Sequence, residues 1–220
     1  MRAYKHKESN TIRFMKKNFK IFFLGFLIVA FAVSLISTPF PEQTILQHFA
    51  TIIFFGIMLW DIFKNYFSIS GYLGIGIFTL LHVIGARWIY SFVPYDYAIE
   101  SVTGISINDL FGWQRNQYDR FVHFMFGVLF FPVLVDIIRK NFNLKPFITG
   151  LLAFLFIQWF SMIYELFEWI LTLTISKEDA ENFNGQQGDA WDPHKDMALA
   201  MVGSAFYWLI IVIRNWGKGR

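Results

Sequence analysis

The segment GQQGDAWDPHKDM, Gly185 to Met197, places Asp189, Asp192, His194 and Asp196 within a few residues of one another, directly before an apolar run. Two other stretches carry matching chemistry. YDRFVHF (Tyr118 to Phe124) sets Asp119 and His123 four apart, and YELFEW (Tyr164 to Trp169) sets Glu165 and Glu168 three apart inside apolar sequence. Histidine and several carboxylates without sulfur are the donor set of Mn, Fe or Zn, or of Mg and Ca where oxygens dominate. The same groups also serve as general bases that activate water. The chain has no cysteine, which excludes disulfides, thiolate zinc sites and Cys nucleophiles.

The elements that must position these groups are membrane helices. Of 220 residues 55% are hydrophobic and only 16% charged, against about 25% charged in a soluble domain. Six apolar runs, Ile21–Ser37, Thr44–Trp60, Gly71–Val93, Phe121–Ile138, Phe147–Leu173 and Met197–Ile213, lie near or above the roughly 17 residues a span requires. The first two are short enough to recruit flanking residues. The expectation is an all-α, polytopic membrane protein: a basic leader (1–20), one six-helix transmembrane bundle (21–213) and a basic tail (214–220). No cleaved signal peptide and no internal repeat is expected.

Charge sets the expected orientation. The leader, with Lys16, Lys17 and Lys20 among its bases, falls on one side together with Lys64, Arg139, Lys140, Lys145 and the tail. The segments Thr38–Gln43, Pro94–Arg120 and Thr174–Asp196 are poor in bases or acidic. The positive-inside rule then makes both termini cytoplasmic and those three segments external. Trp88, Tyr90, Tyr95, Tyr97, Trp113, Trp169 and Trp191 mark that outer boundary as an aromatic belt. A nucleic-acid role for the basic leader finds no support elsewhere in the chain, and the lipid bilayer is the expected partner.

At about 1.5 Å per helical residue, His123 lies about 6 Å below Asp119 on the same face. Glu165 and Glu168 fall in the same outer layer, and so do Asp189, Asp192 and Asp196, which share a stripe if that region is helical. His82, near mid-depth in the third span, and Arg87 above it are supporting residues, as is Arg120. Plainer roles stand beside these. Asp192 before Pro193 suits a helix N-cap, which does not exclude a ligand role. Asp119 and Arg120 could be solvated at a helix mouth, His194 lies off the stripe and reads as surface, and His48 and His6 read as incidental.

Glu165 and Glu168 resist a plain reading, since an unpaired carboxylate in hydrocarbon is costly. They require a divalent metal ion shared with His123, Asp189, Asp192 and Asp196, a salt-bridge network with Arg87, Arg115, Arg120 or Lys195, or a shared proton.

RNQYDRFVHF, YELFEW and GQQGDAWDPHKDM resemble the YjdF family of bacterial inner-membrane proteins, a domain of unknown function. At greater distance the order D-[KR]-x-x-H-F, then E-x-x-E or E-x-x-Q, then D-x-x-x-[ND]-x-x-x-x-x-x-G is similar to the VanZ-like membrane proteins, on Asp119, Arg120, His123 and Phe124, then Glu165 and Glu168, then, more loosely, Asp192, Asp196 and Gly203. The resemblance implies a multi-pass protein of the bacterial cytoplasmic membrane with an outward polar site, and no particular reaction.

Three functions remain open on the sequence. One is a metal-assisted hydrolase or transferase on a lipid-linked or cell-envelope substrate, with Glu165, Glu168, His123 and Asp119 catalytic. HExxH and Glu-x-x-His signatures are both absent. The others are a non-catalytic membrane factor that binds a partner, and a small transporter or proton-coupled carrier, for which no repeat or broken helix speaks.

Overall fold

The structure, a computed structural model, describes residues 10–174 and 185–216. The first nine residues of the leader, residues 175–184 of the last expected external segment and the final four residues of the tail lie outside the described residues. Among those described there are eight helices and no strand: α1 (Asn10–Ser34), α2 (Pro41–Lys64), α3 (Ile69–Arg87), α4 (Tyr95–Thr103), α5 (Ile107–Phe111), α6 (Tyr118–Asn141), α7 (Pro146–Thr174) and α8 (Asp192–Trp216). Six of them, all but α4 and α5, are long and apolar enough to cross a membrane. Their outward faces carry large apolar side chains such as Phe22, Phe49 and Phe147, which in water would be untenable and in lipid is the expected surface.

Boundaries differ from the apolar runs in a consistent way. Polar end residues join the helices because a backbone leaving hydrocarbon keeps its internal hydrogen bonds until water or a cap replaces them. Thus α1 begins within the basic leader, and α8 begins at Asp192, five residues before the apolar run. The third span is shorter than expected. α3 stops at Arg87, and Ile89 and Tyr90 turn the chain with φ of 42° and 56°, left-handed values costly for a β-branched residue.

α6 is the central helix. On one side it closes a core with α1, α2 and α3 around Leu27, Met58, Tyr72, Ile75 and Val133. On the other it packs with α7 and α8 around Phe131, Leu134, Ile157 and Ala200. A third cluster, Tyr90, Val93, Tyr118 and Val122, sits at the end of the bundle that carries the long connections. We call this the site end, and the opposite end, with Lys20 and Lys140, the basic end.

Because successive spans alternate in direction, α6 and α8 run parallel. Their contact is backbone to backbone: a Cβ on Gly127 would lie 2.7 Å from the Ser204 nitrogen and 3.0 Å from the Ala200 carbonyl carbon. Gly203 meets the Phe124 carbonyl in the same way. Small residues at such a crossing permit close packing that larger ones prevent.

At the basic end Lys20, fully buried, donates to Asp61 Oδ2 at 2.7 Å and to Asn65 Oδ1 at 3.0 Å. The other Asp61 oxygen accepts the Phe67 amide at 2.7 Å. Lys20 is therefore an internal tie between α1 and α2 rather than a headgroup contact. A pair so enclosed is kept by its hydrogen bonds, since desolvation offsets most of the Coulomb gain.

Candidate functional site

Two concentric layers of polar side chains occupy the site end. In the upper layer every charge is answered. Arg115, from the connection before α6, grips Asp192 through two bonds, Nη1 to Oδ1 at 2.5 Å and Nη2 to Oδ2 at 3.2 Å. The same guanidinium donates to the Gln186 and Gly185 carbonyls at 3.1 and 3.0 Å. Arg120, on the first turn of α6, reaches Asp192 Oδ1 at 3.0 Å and also bonds Asp189. Lys195 closes on Asp189 at 2.5 Å. Gln187 accepts the Asn116 amide and donates to the Asn116 carbonyl, at 2.9 and 3.2 Å. Residues 185–192 are thus clamped onto residues 115–120 by planar forks, a geometry that suits arginine.

Asp189 lies outside the spans. The Lys195 ammonium first, then the Trp191 amide and Arg120, hold its carboxyl far below the usual carboxylate range. It is therefore ionised throughout the physiological range.

Beneath this layer the charges are not answered. His123, 9% exposed, has Asp119 Oδ1 3.8 Å from Nε2 and Glu165 Oε1 3.7 Å from Nδ1. Asp119, His123 and Asp196 each present one donor atom, and these atoms lie within 4.8 Å of one another. Two ligands at about 2.1 Å on opposite sides of an ion are about 4.2 Å apart, so the trio needs little movement to close on a cation. Neither Glu165 oxygen has a hydrogen-bond partner, nor does Asp196 Oδ1, and both residues are at most 5% exposed. Ser161, one turn along α7 from Glu165, and Ser91 also have unpartnered hydroxyls. Glu168 is buried and shares a hydrogen bond with Tyr164.

The imbalance is large. Among the described residues, six carboxyl groups across both layers, of Asp119, Glu165, Glu168, Asp189, Asp192 and Asp196, face three cations, Arg115, Arg120 and Lys195. Buried polar groups are nearly always bonded, so a cluster of orphans marks a place where a cation or protons belong.

Tyr90 forms the floor toward α3. The turn at 88–91 folds its ring over Gly85, where a Cβ would lie 2.6 Å from Tyr90 Cε1. Its hydroxyl is 2.5 Å from His82 Nδ1, and His82 Nε2 lies 3.0 Å from the Gln47 carbonyl. A carbonyl only accepts, so Nε2 carries the hydrogen and Nδ1 takes the Tyr90 proton in the neutral ring. Burial, with the Asp119, Tyr118 and Glu168 groups nearby, pushes the Tyr90 phenol well above its usual value and keeps it a donor.

With the site laid out, relatives of the chain can be placed beside it. A family described as "Predicted membrane protein (DUF2238)" matches residues 19–216. The chain belongs to the DUF2238 family. It is 29% identical over 129 residues to the inner membrane protein YjdF of Escherichia coli (strain K12). That match covers 57% of this chain and 56% of the relative, so the chain aligns with little more than half of it. No solved structure matches.

In this DUF2238 protein the three sequence stretches do meet. Asp119, His123, Glu165, Glu168, Asp192 and Asp196 come together at the site end, drawn from α6, α7 and α8. The expected donor set divides, however. Asp189 and Asp192 are taken up by Arg115, Arg120 and Lys195, while Asp119, viewed from sequence as catalytic, joins the group that could hold an ion. Asp189 lies in the turn before α8 and not on a helical stripe with Asp192 and Asp196. Asp192 is no N-cap, because its carboxylate is turned to the two guanidiniums; Asp189 Oδ1 instead accepts the Trp191 amide at 3.0 Å.

Two supporting residues are elsewhere. Arg87 caps the end of α1, donating to the Ser34 and Ile36 carbonyls at 2.7 Å each, and gives no charge to the cluster. His82 reaches it only through Tyr90. His194 is exposed as expected, but His48 is not incidental: it is buried and bonds Ser34 and Thr51 at 3.1 and 3.0 Å. Tyr90 and Ser161 were invisible as site residues. Their only sequence signals are an aromatic at a boundary and a serine one turn from Glu165.

Proposed function

We propose that the chain is a multi-pass protein of the bacterial inner membrane whose site end faces outward and binds a divalent cation. The inner-membrane assignment follows the relative's name, and the outward orientation follows the side opposite Lys20, Lys140 and the other bases. Asp119, His123 and Asp196 are the ligands, with Glu165 as the fourth group. One histidine with carboxylates suits Mn, Fe or Zn.

The reading rests on one observation: buried Glu165 and Asp196 oxygens with no donor converge beside His123 and Asp119. A cation held by these residues would supply Lewis-acid activation of a water, and a carboxylate of the cluster would be placed to take that water's proton and return it to the leaving oxygen, in the hydrolysis of an ester or phosphoester of a lipid-linked or envelope substrate. Glu168 stands buried at the edge of the cluster, hydrogen-bonded to Tyr164.

Metal analysis of detergent-purified protein tests this. One equivalent of metal is expected in the native chain, removed by chelator and absent in His123→Ala and Asp196→Asn. Folded native protein that takes up no Mn, Fe or Zn overturns it.

The fully paired upper layer favours a second reading, a non-catalytic membrane factor whose acids are structural. It predicts that neutralising Glu165 or Asp196 changes no metal content and lowers only abundance.

A further inference from the structure

The two ring nitrogens of His123 face different carboxylates. Nε2 lies 3.8 Å from Asp119 Oδ1, one turn back on the same helix. Nδ1 lies 3.7 Å from Glu165 Oε1, across on α7. Asp119, His123 and Asp196 are the trio whose donor atoms gather within 4.8 Å of one another, and Glu165 is not among them.

An imidazole separates two tasks. A cation takes the lone pair of one nitrogen in the ring plane, and the other nitrogen then carries the hydrogen and needs an acceptor. The two nitrogens point to opposite sides of the ring. A carboxylate placed at Nδ1 therefore stands away from an ion bound at Nε2, where Asp119 is.

Glu165 suits the acceptor task. It is 5% exposed, and neither of its oxygens has a hydrogen-bond partner. Among the described residues no other carboxylate comes within ion-pair distance of His123 Nδ1. Moving from the observed separation to an N–H···O distance of about 2.9 Å takes a shift of about 0.8 Å. The ring is held for this contact. His123 is buried, and Tyr164, the residue before Glu165, sets its own ring beside the imidazole at 5.9 Å between centroids.

On the cation reading of this same site, we propose that Glu165 is a positioning residue and not a ligand. It accepts the Nδ1 hydrogen of His123, fixes the tautomer that presents Nε2 to the ion, and raises the basicity of that nitrogen. Loss of such a partner weakens metal binding by about 10–100-fold without removing a ligand. A buried carboxylate outside the trio thereby gains a role that acts only through His123.

Zinc affinity in detergent, measured by competition with a chromogenic chelator on folded proteins, tests this. The native chain should bind one zinc, and Asp196→Asn none. Glu165→Leu should still bind one, about 10–100-fold more weakly, while Glu165→Gln, which keeps an acceptor oxygen, should recover to within about threefold of native. Cobalt-loaded native protein and Glu165→Gln should share one visible absorption spectrum, because the ligand set is the same. A Glu165→Gln protein that binds as poorly as Glu165→Leu, or whose cobalt spectrum differs from native, makes Glu165 a ligand and overturns the proposal. Native affinity in Glu165→Leu overturns it too. A native chain that binds no metal instead removes the cation reading, and this assignment with it.

Discussion

Gly127 of α6 lies against the main chain of Ala200 in α8, with no room between them for a methyl group. The pair stands one helical turn below His123 on α6 and Asp196 on α8, since each is four residues further along its helix. It therefore sets the register that brings the two halves of the inner cluster together.

Gly127→Val should push α8 away from α6. Overpacking of this kind costs about 1–3 kcal/mol, and here the obstruction is backbone, which cannot swing aside. We expect a lowered thermal midpoint in detergent. A cysteine cross-link between positions 123 and 196, formed readily in a background with Gly127, should be lost with valine.

Arg115 and Asp192 form a bidentate pair whose side chains are 12% and 2% exposed. Arg115→Met leaves Asp192 with Arg120 alone, and removing one partner of a buried pair costs about 3–5 kcal/mol. Arg115→Lys should recover little, because an ammonium cannot reproduce the fork or hold the Gly185 and Gln186 carbonyls at once. Chemical or thermal unfolding of the three proteins checks the order: arginine well above lysine, lysine near methionine.

Lys20→Met should be strongly destabilising for the same reason, since it strands Asp61 at 0% exposure. The double change Lys20→Met with Asp61→Leu should be milder than Lys20→Met alone, as apolar replacement of both members of such a pair is often neutral. A double-mutant cycle on thermal midpoints measures the coupling.

The Asp189 clamp should be insensitive to mild acid. Its folded-state value lies below the ordinary carboxylate value, held there chiefly by Lys195. A group so depressed contributes stability that is complete above its unfolded value of about 3.9 and fades as pH falls toward the folded one. Native protein and Asp189→Asn should thus differ by a constant margin above about pH 5, and converge below about pH 4. Limited proteolysis around residues 185–191 across that range gives the comparison.

Glu165→Gln should have opposite effects with and without metal. In chelator, removing an unanswered buried charge should leave the protein as stable as the native chain or more so. With metal at a hundred times its Kd the native chain gains about 2.7 kcal/mol, and the variant gains less. A native chain whose thermal midpoint ignores Mn, Fe and Zn alike contradicts the prediction.

Much of the architecture was legible from residue types alone. The number of spans and the residues that form them follow from apolar runs, because hydrocarbon tolerates a backbone only when its hydrogen bonds are internal. The meeting of YDRFVHF, YELFEW and the Gly185–Met197 segment followed from depth, since each lies near the same end of its helix. What depth cannot give is partnership. Arg115 and Asp192 are separated by 77 residues, and Arg87, at similar depth, turns to α1 carbonyls instead. Azimuth around each helix decides such choices. In a bundle where α6 is apolar on every side, no periodic stripe reports it. The separation of the acids into an answered layer and an unanswered one therefore belongs to the tertiary structure. It arises from the close seam of Gly127 and Gly203 and from the turn that lays residues 185–192 over Arg115 and Arg120.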